Sequence, residues 1–219
     1  MPKIQTTGIC RACEDRLSMQ VIGRHLASCP KRPDGTFPVF DLRVYAGPFW
    51  LYLEASAKAT LEDLDGLLRY TWVDCCGHLS AFDIAGTRYQ ADTAGIDGMD
   101  TGVALGRILR PGLKFTYEYD FGTTTELEIK VLSERREPSG KRTISILARN
   151  DPPKFPCSAC QKPEPAPAKT ICTECQTDLC GACAKKHECD EELRLPLVNS
   201  PRAGVCGYTG STEDEEAAE

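Results

Sequence analysis

The feature that most limits how this chain can fold is a run of closely spaced cysteines between Cys157 and Cys189. The donors follow the frame Cys-x2-Cys-x11-Cys-x2-Cys-x4-Cys-x2-Cys-x3-His-x1-Cys. A Cys-x2-Cys turn directs two thiolates at one point, and two such pairs complete a tetrahedral zinc site. The intervening segment QKPEPAPAKTI is rich in proline and poor in large apolar side chains, so it cannot supply a packed core. We therefore predict that metal ions hold this region together.

Eight donors make two zinc sites, and consecutive pairs in such a series alternate between the two metals. The alternation gives two interleaved ligand sets: Cys157, Cys160, Cys180 and Cys183 for one zinc, and Cys172, Cys175, His187 and Cys189 for the other. This cysteine frame resembles B-box and ZZ-type zinc modules. It departs from them because a single residue separates His187 from Cys189, so Cys206 is an alternative ligand in the second set.

A second metal frame lies near the N-terminus and has the spacing Cys-x2-Cys-x11-His-x3-Cys. It looks like a C2H2-type zinc finger whose last histidine is replaced by cysteine. Ser18 can cap a helix over the sequence MQVIGRHLASC, and three- and four-residue spacing places the two distal ligands on one face of that helix. The predicted ligands are Cys10, Cys13, His25 and Cys29.

The cysteine count indicates metal sites rather than disulfides. The first residues, MPKIQTTGIC, lack the charged-then-apolar design of a signal peptide, and no apolar run is long enough to span a bilayer. We therefore expect a cytoplasmic protein with no membrane partner, in a compartment where clustered cysteines are usually metal ligands. Three zinc ions would use ten of the 13 cysteines, and they leave Cys75, Cys76 and Cys206 without an assigned role.

Between the two cysteine-rich regions, the apolar pattern predicts an α+β domain. It indicates a mixed sheet with one main packed helix, and its opening two strands resemble a β-grasp. The helix is predicted over TLEDLDGLLRYTWV, where Thr60 and Asp63 can form a capping box. Its buried stripe is predicted to contain Leu61, Leu64, Leu68 and Trp72.

The middle of the chain also resembles a known family. The run TLEDLDGLLRYTWVDCCGHLSAFDI, followed by FTYEYDFG, is similar to the plasmid pRiA4b ORF-3-like family. That resemblance implies an association with plasmids and mobile elements, but no established biochemical role. The family often continues Asp-Phe-Gly with Asp-x-Trp-x-His and carries a histidine in the helix, whereas this chain has Thr123, Thr125, Leu127 and Asp65 at those positions. These departures argue against catalysis in this chain.

The composition divides the chain into four regions: a C2HC zinc-finger-like module over 1–35, the α+β domain over 36–152, a cross-brace zinc module over 153–210 and an acidic disordered tail over 211–219. The formal net charge is −6, and the tail STEDEEAAE carries five acids and no base. A tight nucleic-acid binder is expected to show a broad basic face instead.

Three functions fit these patterns. The favoured hypothesis is a zinc-stabilised, non-catalytic interaction or adaptor protein with three Zn²⁺ ions and a protein partner. The first alternative is a nucleic-acid-binding accessory protein of a mobile element, in which basic residues of the N-terminal finger contact phosphate. Those residues would be Arg11, Arg16, Arg24, Lys31 and Arg32. The second alternative is an enzyme that uses Asp120, His78 or Cys76, and it requires a deep pocket in the middle domain around those side chains.

Overall fold

The computed structural model describes residues 4, 6–90, 99–161 and 164–211, and the described strands form two separate sheets. Apart from Ser211, the predicted acidic tail lies outside the described residues. In chain order the elements are β1 (Thr7–Cys10), β2 (Arg16–Ser18), α1 (Met19–Ser28), β3 (Phe37–Ala46), β4 (Phe49–Ser56), α2 (Leu61–Leu68), β5 (Ser80–Ile84), β6 (Thr87–Gln90), α3 (Leu105–Ile108), β7 (Lys114–Tyr119), β8 (Thr125–Glu137), β9 (Ile144–Asn150), β10 (Thr170–Cys172), β11 (Thr177–Leu179), α4 (Gly181–Ala184) and β12 (Arg194–Pro196).

The larger sheet has nine strands in the order β2-β1-β9-β4-β3-β8-β7-β5-β6. Every pair of described strands in it is antiparallel, whereas the sequence pattern predicts a mixed sheet. Short connections account for four of the eight pairs, β1–β2, β3–β4, β5–β6 and β7–β8, because parallel neighbours need long crossovers. Two-residue turns join β3 to β4 and β5 to β6, and residues with positive φ occupy both turns at Gly47, Ala85 and Gly86.

The main helix forms where the sequence predicts it. Helix α2 buries Leu61, Leu64 and Leu68 completely, and a π-helical turn over Arg69–Val73 extends it to the fully buried Trp72. These side chains join the inward-facing residues of the sheet in one hydrophobic core. Packing in this core fixes the end of the helix above the sheet. It therefore also fixes where the following residues, from Asp74 onward, begin.

The predicted capping box is present at the start of α2. The Asp63 N–H donates to Thr60 Oγ1 at 3.3 Å, and the Thr60 N–H donates to Asp63 Oδ2 at 2.7 Å. The Arg142 Nε also donates to Asp63 Oδ2 at 2.7 Å. Burial acts to raise the pKa of Asp63, but the hydrogen bonds from Arg142 and Thr60 outweigh it and hold that pKa below its usual range.

Replacing Thr60 by alanine is expected to cost about 1 kcal/mol of stability, because one helical N–H loses its acceptor. Urea unfolding at neutral pH measures this cost, and Thr124→Ala, at an exposed threonine in a loop, is the control. An unchanged urea midpoint for Thr60→Ala would contradict the capping role.

The stabilising contribution of Asp63 should depend on pH. Since the pKa of Asp63 is lowered in the folded state, its contribution to stability is complete above its unfolded pKa and lost as pH falls through the folded value. The difference in stability between wild type and Asp63→Asn, measured by urea unfolding, should therefore shrink in acid.

The N-terminal hairpin is part of the large sheet. Strand β1 pairs with β2 and also with β9, where Gly8 lies opposite Asn150 and Cys10 lies opposite Ala148. A side chain cannot replace the hydrogen at Gly8, because a Cβ there would lie 2.1 Å from the Arg149 carbonyl oxygen and 2.4 Å from Trp50. The close approach of the two backbones thus depends on glycine.

Helix α1 packs onto the same end of the sheet. Its buried residues Ile22 and Leu26 join Trp50 and Tyr52 in a second hydrophobic cluster. Ser18 lies at the N-cap position as predicted, but its side chain makes no capping hydrogen bond, which corrects that detail of the sequence analysis. The Tyr52 hydroxyl instead donates to the Met19 carbonyl oxygen at 3.1 Å and ties the start of the helix to β4.

The smaller sheet belongs to the C-terminal cysteine-rich region and has the order β11-β10-β12. Its three strands are three residues long each, and the four-residue helix α4 follows β11. After β12 the chain returns to the large sheet. Among the described residues, no helix has the length and apolar character that a bilayer crossing requires.

Candidate metal centres

The N-terminal donors converge on one point. The side-chain donor atoms of Cys10, Cys13, His25 and Cys29 all lie within 4.8 Å of one another. Cys10 ends strand β1, Cys13 lies in the turn after it, and His25 lies on helix α1, with its Nε2 atom 3.2 Å from the Cys13 sulfur. Cys29 caps the C-terminus of that helix. The protein therefore offers four donor atoms that could hold one metal ion at this place.

The thiols of this cluster show why it favours a cation. Burial acts to raise the pKa of Cys10, but the backbone N–H groups of Cys13 and Ala12 lower it to about 7. The Asp15 N–H acts to lower the pKa of Cys13, but burial and the neighbouring thiols of Cys10 and Cys29 raise it to about 12. The first thiolate thus forms readily, while further thiolates repel it unless a positive ion shares the site.

The first C-terminal set has the dimensions of a zinc tetrahedron. The Cys160 sulfur lies 3.8 Å from the sulfurs of both Cys180 and Cys183, and the donor atoms of all four residues lie within 4.8 Å of one another. Zinc–sulfur bonds of about 2.3 Å place tetrahedral thiolates roughly 3.8 Å apart. The members of this set are Cys157, Cys160, Cys180 and Cys183.

The second C-terminal set contains Cys189 and not Cys206. Cys189 joins Cys172, Cys175 and His187, whose Nε2 atom lies 3.3 Å from the Cys175 sulfur. Cys206 lies at a different place in the molecule. The structure therefore brings together the same two interleaved sets that the spacing of the cysteines predicts, with Cys189 rather than Cys206 in the second.

A fourth cluster is absent from the sequence prediction. Cys75, Cys76, His78 and Cys206 place their donor atoms within 4.8 Å of one another. The residue counts pointed to this cluster, because the three predicted zinc sites leave three cysteines and one histidine unassigned, and these make one further set of four donors. The spacing could not reveal it, because Cys206 lies 130 residues after Cys76. Among the residues that the structure describes, four Cys/His clusters could hold metal ions, and each of the 13 cysteines is free of a disulfide.

The residues considered for catalysis are engaged with one another and with the C-terminal segment. Asp120 Oδ2 accepts a 2.6 Å hydrogen bond from Arg202 Nη2 and lies 3.5 Å from His78 Nε2. Cys76 and His78 belong to the fourth cluster. Two cavities of about 370 Å³ lie elsewhere on the sheet, and neither is lined by Asp120, His78 or Cys76.

Two of the basic residues considered for phosphate contacts have acidic partners. Arg32 would contact phosphate under the nucleic-acid alternative; its side chain is 5% exposed and donates to Asp41 and Glu54, each at 2.6 Å. Its guanidinium stabilises the link between the N-terminal region and strands β3 and β4 instead. Arg16 forms an ion pair with Asp151.

Comparison with known proteins places the middle of the chain in a family. Residues 41–154 match the sequence model of the plasmid pRiA4b ORF-3-like protein family. The two terminal cysteine-rich regions lie outside that range. The crystal structure of the protein of unknown function MM3350 from Methanosarcina mazei Go1 is similar, with a TM-score of 0.43 and 17% identity, over 54% of this chain and 70% of that one. No curated protein matches the chain. Since the matched residues make up more than half of the chain, it belongs to the plasmid pRiA4b ORF-3-like family.

Proposed function

We propose that this chain is a zinc-stabilised, non-catalytic adaptor that contacts a partner protein through its terminal zinc modules. One observation carries the proposal: each of the three clusters in these modules offers four protein donors. A zinc ion with four protein ligands has no open position for a water molecule or a substrate, and this is the arrangement of structural sites. The ions would shape the surface of the modules rather than perform chemistry.

The charge distribution favours a protein partner over a nucleic acid. Arg32 is paired with Asp41 in the interior and Arg16 with Asp151 at the surface, and the whole chain carries a formal charge of −6. The N-terminal module also presents two large apolar side chains, Ile9 and Val21, which are 38% and 41% exposed. Apolar side chains contribute to protein contacts, whereas affinity for nucleic acid depends mainly on unpaired cations near phosphates.

The location and the biological setting belong to the same proposal. A chain with 13 free cysteines keeps its zinc ligands reduced in the cytoplasm. The name of the family supports a role in a plasmid or another mobile element. The analogy with B-box and ZZ modules rests on the spacing of the ligands and concerns the kind of surface, not a particular partner.

Site-specific photocrosslinking in living cells tests this function. A photoreactive amino acid at Val21 is expected to give a discrete covalent adduct with one protein, and the adduct should disappear in the ligand variant Cys13→Ser. The same probe at Glu126, an exposed residue on strand β8 of the middle domain, is the matched control. An adduct that nucleases rather than proteases digest would favour the nucleic-acid alternative. Adduct formation that does not depend on Cys13, or none at Val21, would contradict the proposal.

A further inference from the structure

We propose that Cys75, Cys76, His78 and Cys206 form a fourth zinc site, which fastens the C-terminal segment 198–208 to the end of the main helix. The proposal concerns a different site from the three structural ones and is independent of the adaptor function. The bound ion would be Zn²⁺, because three thiolates and one imidazole are the donors that this borderline-soft ion prefers.

The distances among the donors agree with a tetrahedral ion. The Cys76 sulfur lies 3.7 Å from the Cys75 sulfur and 3.8 Å from the Cys206 sulfur. The His78 Nε2 atom lies 3.1 Å from Cys76 and 3.4 Å from Cys206. Zinc with bonds of about 2.3 Å to sulfur and about 2.0 Å to nitrogen gives tetrahedral edges of roughly 3.8 and 3.5 Å. A disulfide requires a separation of about 2.0 Å, so these thiols stand apart at the spacing of metal ligands.

The segment that carries three of the donors is held by contacts outside the cluster. The Tyr119 hydroxyl donates to Asp74 Oδ1 at 2.7 Å and accepts from the His78 N–H at 3.1 Å. The Gly77 N–H also donates to Asp74 Oδ1, at 2.9 Å, and Gly77 has a φ of +77° that glycine adopts without strain. These contacts fold the residues after the main helix into a tight turn that directs its side chains to one point.

The fourth donor, Cys206, lies on the C-terminal segment, which packs against the large sheet and the end of the main helix through separate buried polar contacts. Asn199 and Asn150 exchange two hydrogen bonds, of 2.7 and 2.8 Å. The Ser200 hydroxyl donates to the Trp72 carbonyl oxygen at 2.6 Å. Cys206 then takes a φ of +51°, an unusual backbone conformation for a residue other than glycine. The sulfur is therefore positioned by the docking of the segment, and an ion would join two parts of the chain that are far apart in sequence.

A buried cation lies beside the cluster, next to the charge that a loaded site would carry. Three thiolates, a neutral imidazole and Zn²⁺ together carry one negative charge. The fully buried guanidinium of Arg202 interacts with the Cys75 thiol and also pairs with Asp120. A buried cation beside the cluster lowers the cost of the net negative charge of the loaded site.

This cluster is the most open of the four. Each of the other three includes at least one buried cysteine, whereas here Cys76 and Cys206 are exposed and Cys75 and His78 are partly exposed. Chelators and competing thiols reach exposed ligands more easily than buried ones. A zinc ion in this site should therefore be the first to leave when a chelator is added.

Native mass spectrometry of the full chain with added zinc tests the fourth site. We expect four zinc ions in the wild type and three in Cys206→Ser, in Cys76→Ser and in the double variant. The equal count in the double variant is the decisive result, because it shows that both cysteines serve one ion. Thr209→Ala, at an exposed position near Cys206, is the matched control and should retain four.

Thiol alkylation of the wild type gives a second readout that needs no variant. With zinc bound, Cys76 and Cys206 should react slowly despite their exposure, and both should become reactive together after mild chelation. Full reactivity of both thiols in the zinc-loaded protein would overturn the fourth site. So would three zinc ions in both the wild type and Cys206→Ser, a result that leaves the adaptor proposal intact. A wild type without zinc would overturn both proposals.

Discussion

Removal of zinc from the full chain by a strong chelator is expected to unfold residues 157–196 while strands β3–β9 of the large sheet stay folded. Among the described residues of this module, the buried apolar side chains are Leu179 and three cysteines, so it has almost no core of its own. A structural zinc ion supplies about 10–16 kcal/mol of folding free energy in small modules. The core that strands β3–β9 form with helix α2, around Trp72 and Leu53, contains none of the sequence-predicted ligands, and it should survive.

Hydrogen exchange followed by mass spectrometry measures this result for each segment. Peptides from the C-terminal module should lose their protection after chelation, and those from strands β3, β4 and β8 should keep it. Cys180→Ser should reproduce the loss in the module without a chelator. Ala182→Ser adds a hydroxyl group at an exposed position between two ligands and is the matched control. Slow exchange in the chelated module would show that its fold does not depend on metal.

The parts that could be predicted from the sequence are those determined by local spacing. Helix α2 follows from its apolar stripe and the Thr60 capping box, both of which lie within one segment. The three predicted ligand sets follow from Cys-x2-Cys turns and from donors on short elements nearby. In each case the residues that cooperate are close in the chain, so periodicity and spacing contain the information.

The parts that could not be predicted depend on pairing between distant segments. The addition of β1 to β9 joins residues about 140 positions apart, and nothing in either strand specifies its partner. The cluster of Cys75, Cys76, His78 and Cys206 also joins distant segments, because it forms only when the C-terminal segment docks on the main helix. For the same reason, the sequence could not show that Arg32, a candidate phosphate contact under the nucleic-acid alternative, pairs with Asp41 and Glu54 in the folded sheet.

Arg202 is the residue whose loss should weaken that docking most. Its side chain is completely buried, and it donates to Asp120 Oδ2 at 2.6 Å, to Thr125 Oγ1 at 3.0 Å and to the Thr123 carbonyl oxygen at 3.1 Å. Arg202→Met keeps most of the volume but leaves the carboxylate of Asp120 without its cation. Breaking a buried ion pair in this way typically costs about 3–5 kcal/mol, since the remaining charge stays buried and unpaired.

Urea unfolding of zinc-loaded protein measures the effect, and Arg142→Met, in the more exposed pair with Asp63, is the control that should change stability much less. Adding Asp120→Asn to Arg202→Met should restore part of the loss, because the amide removes the unpaired charge and asparagine tolerates the positive φ of 64° at this position. A loss as small as that of the control would show that the pair does not hold the segment. If the pair does hold it, Arg202→Met should also lower the occupancy of the fourth cluster, because Cys206 reaches Cys76 and His78 only when the segment is docked.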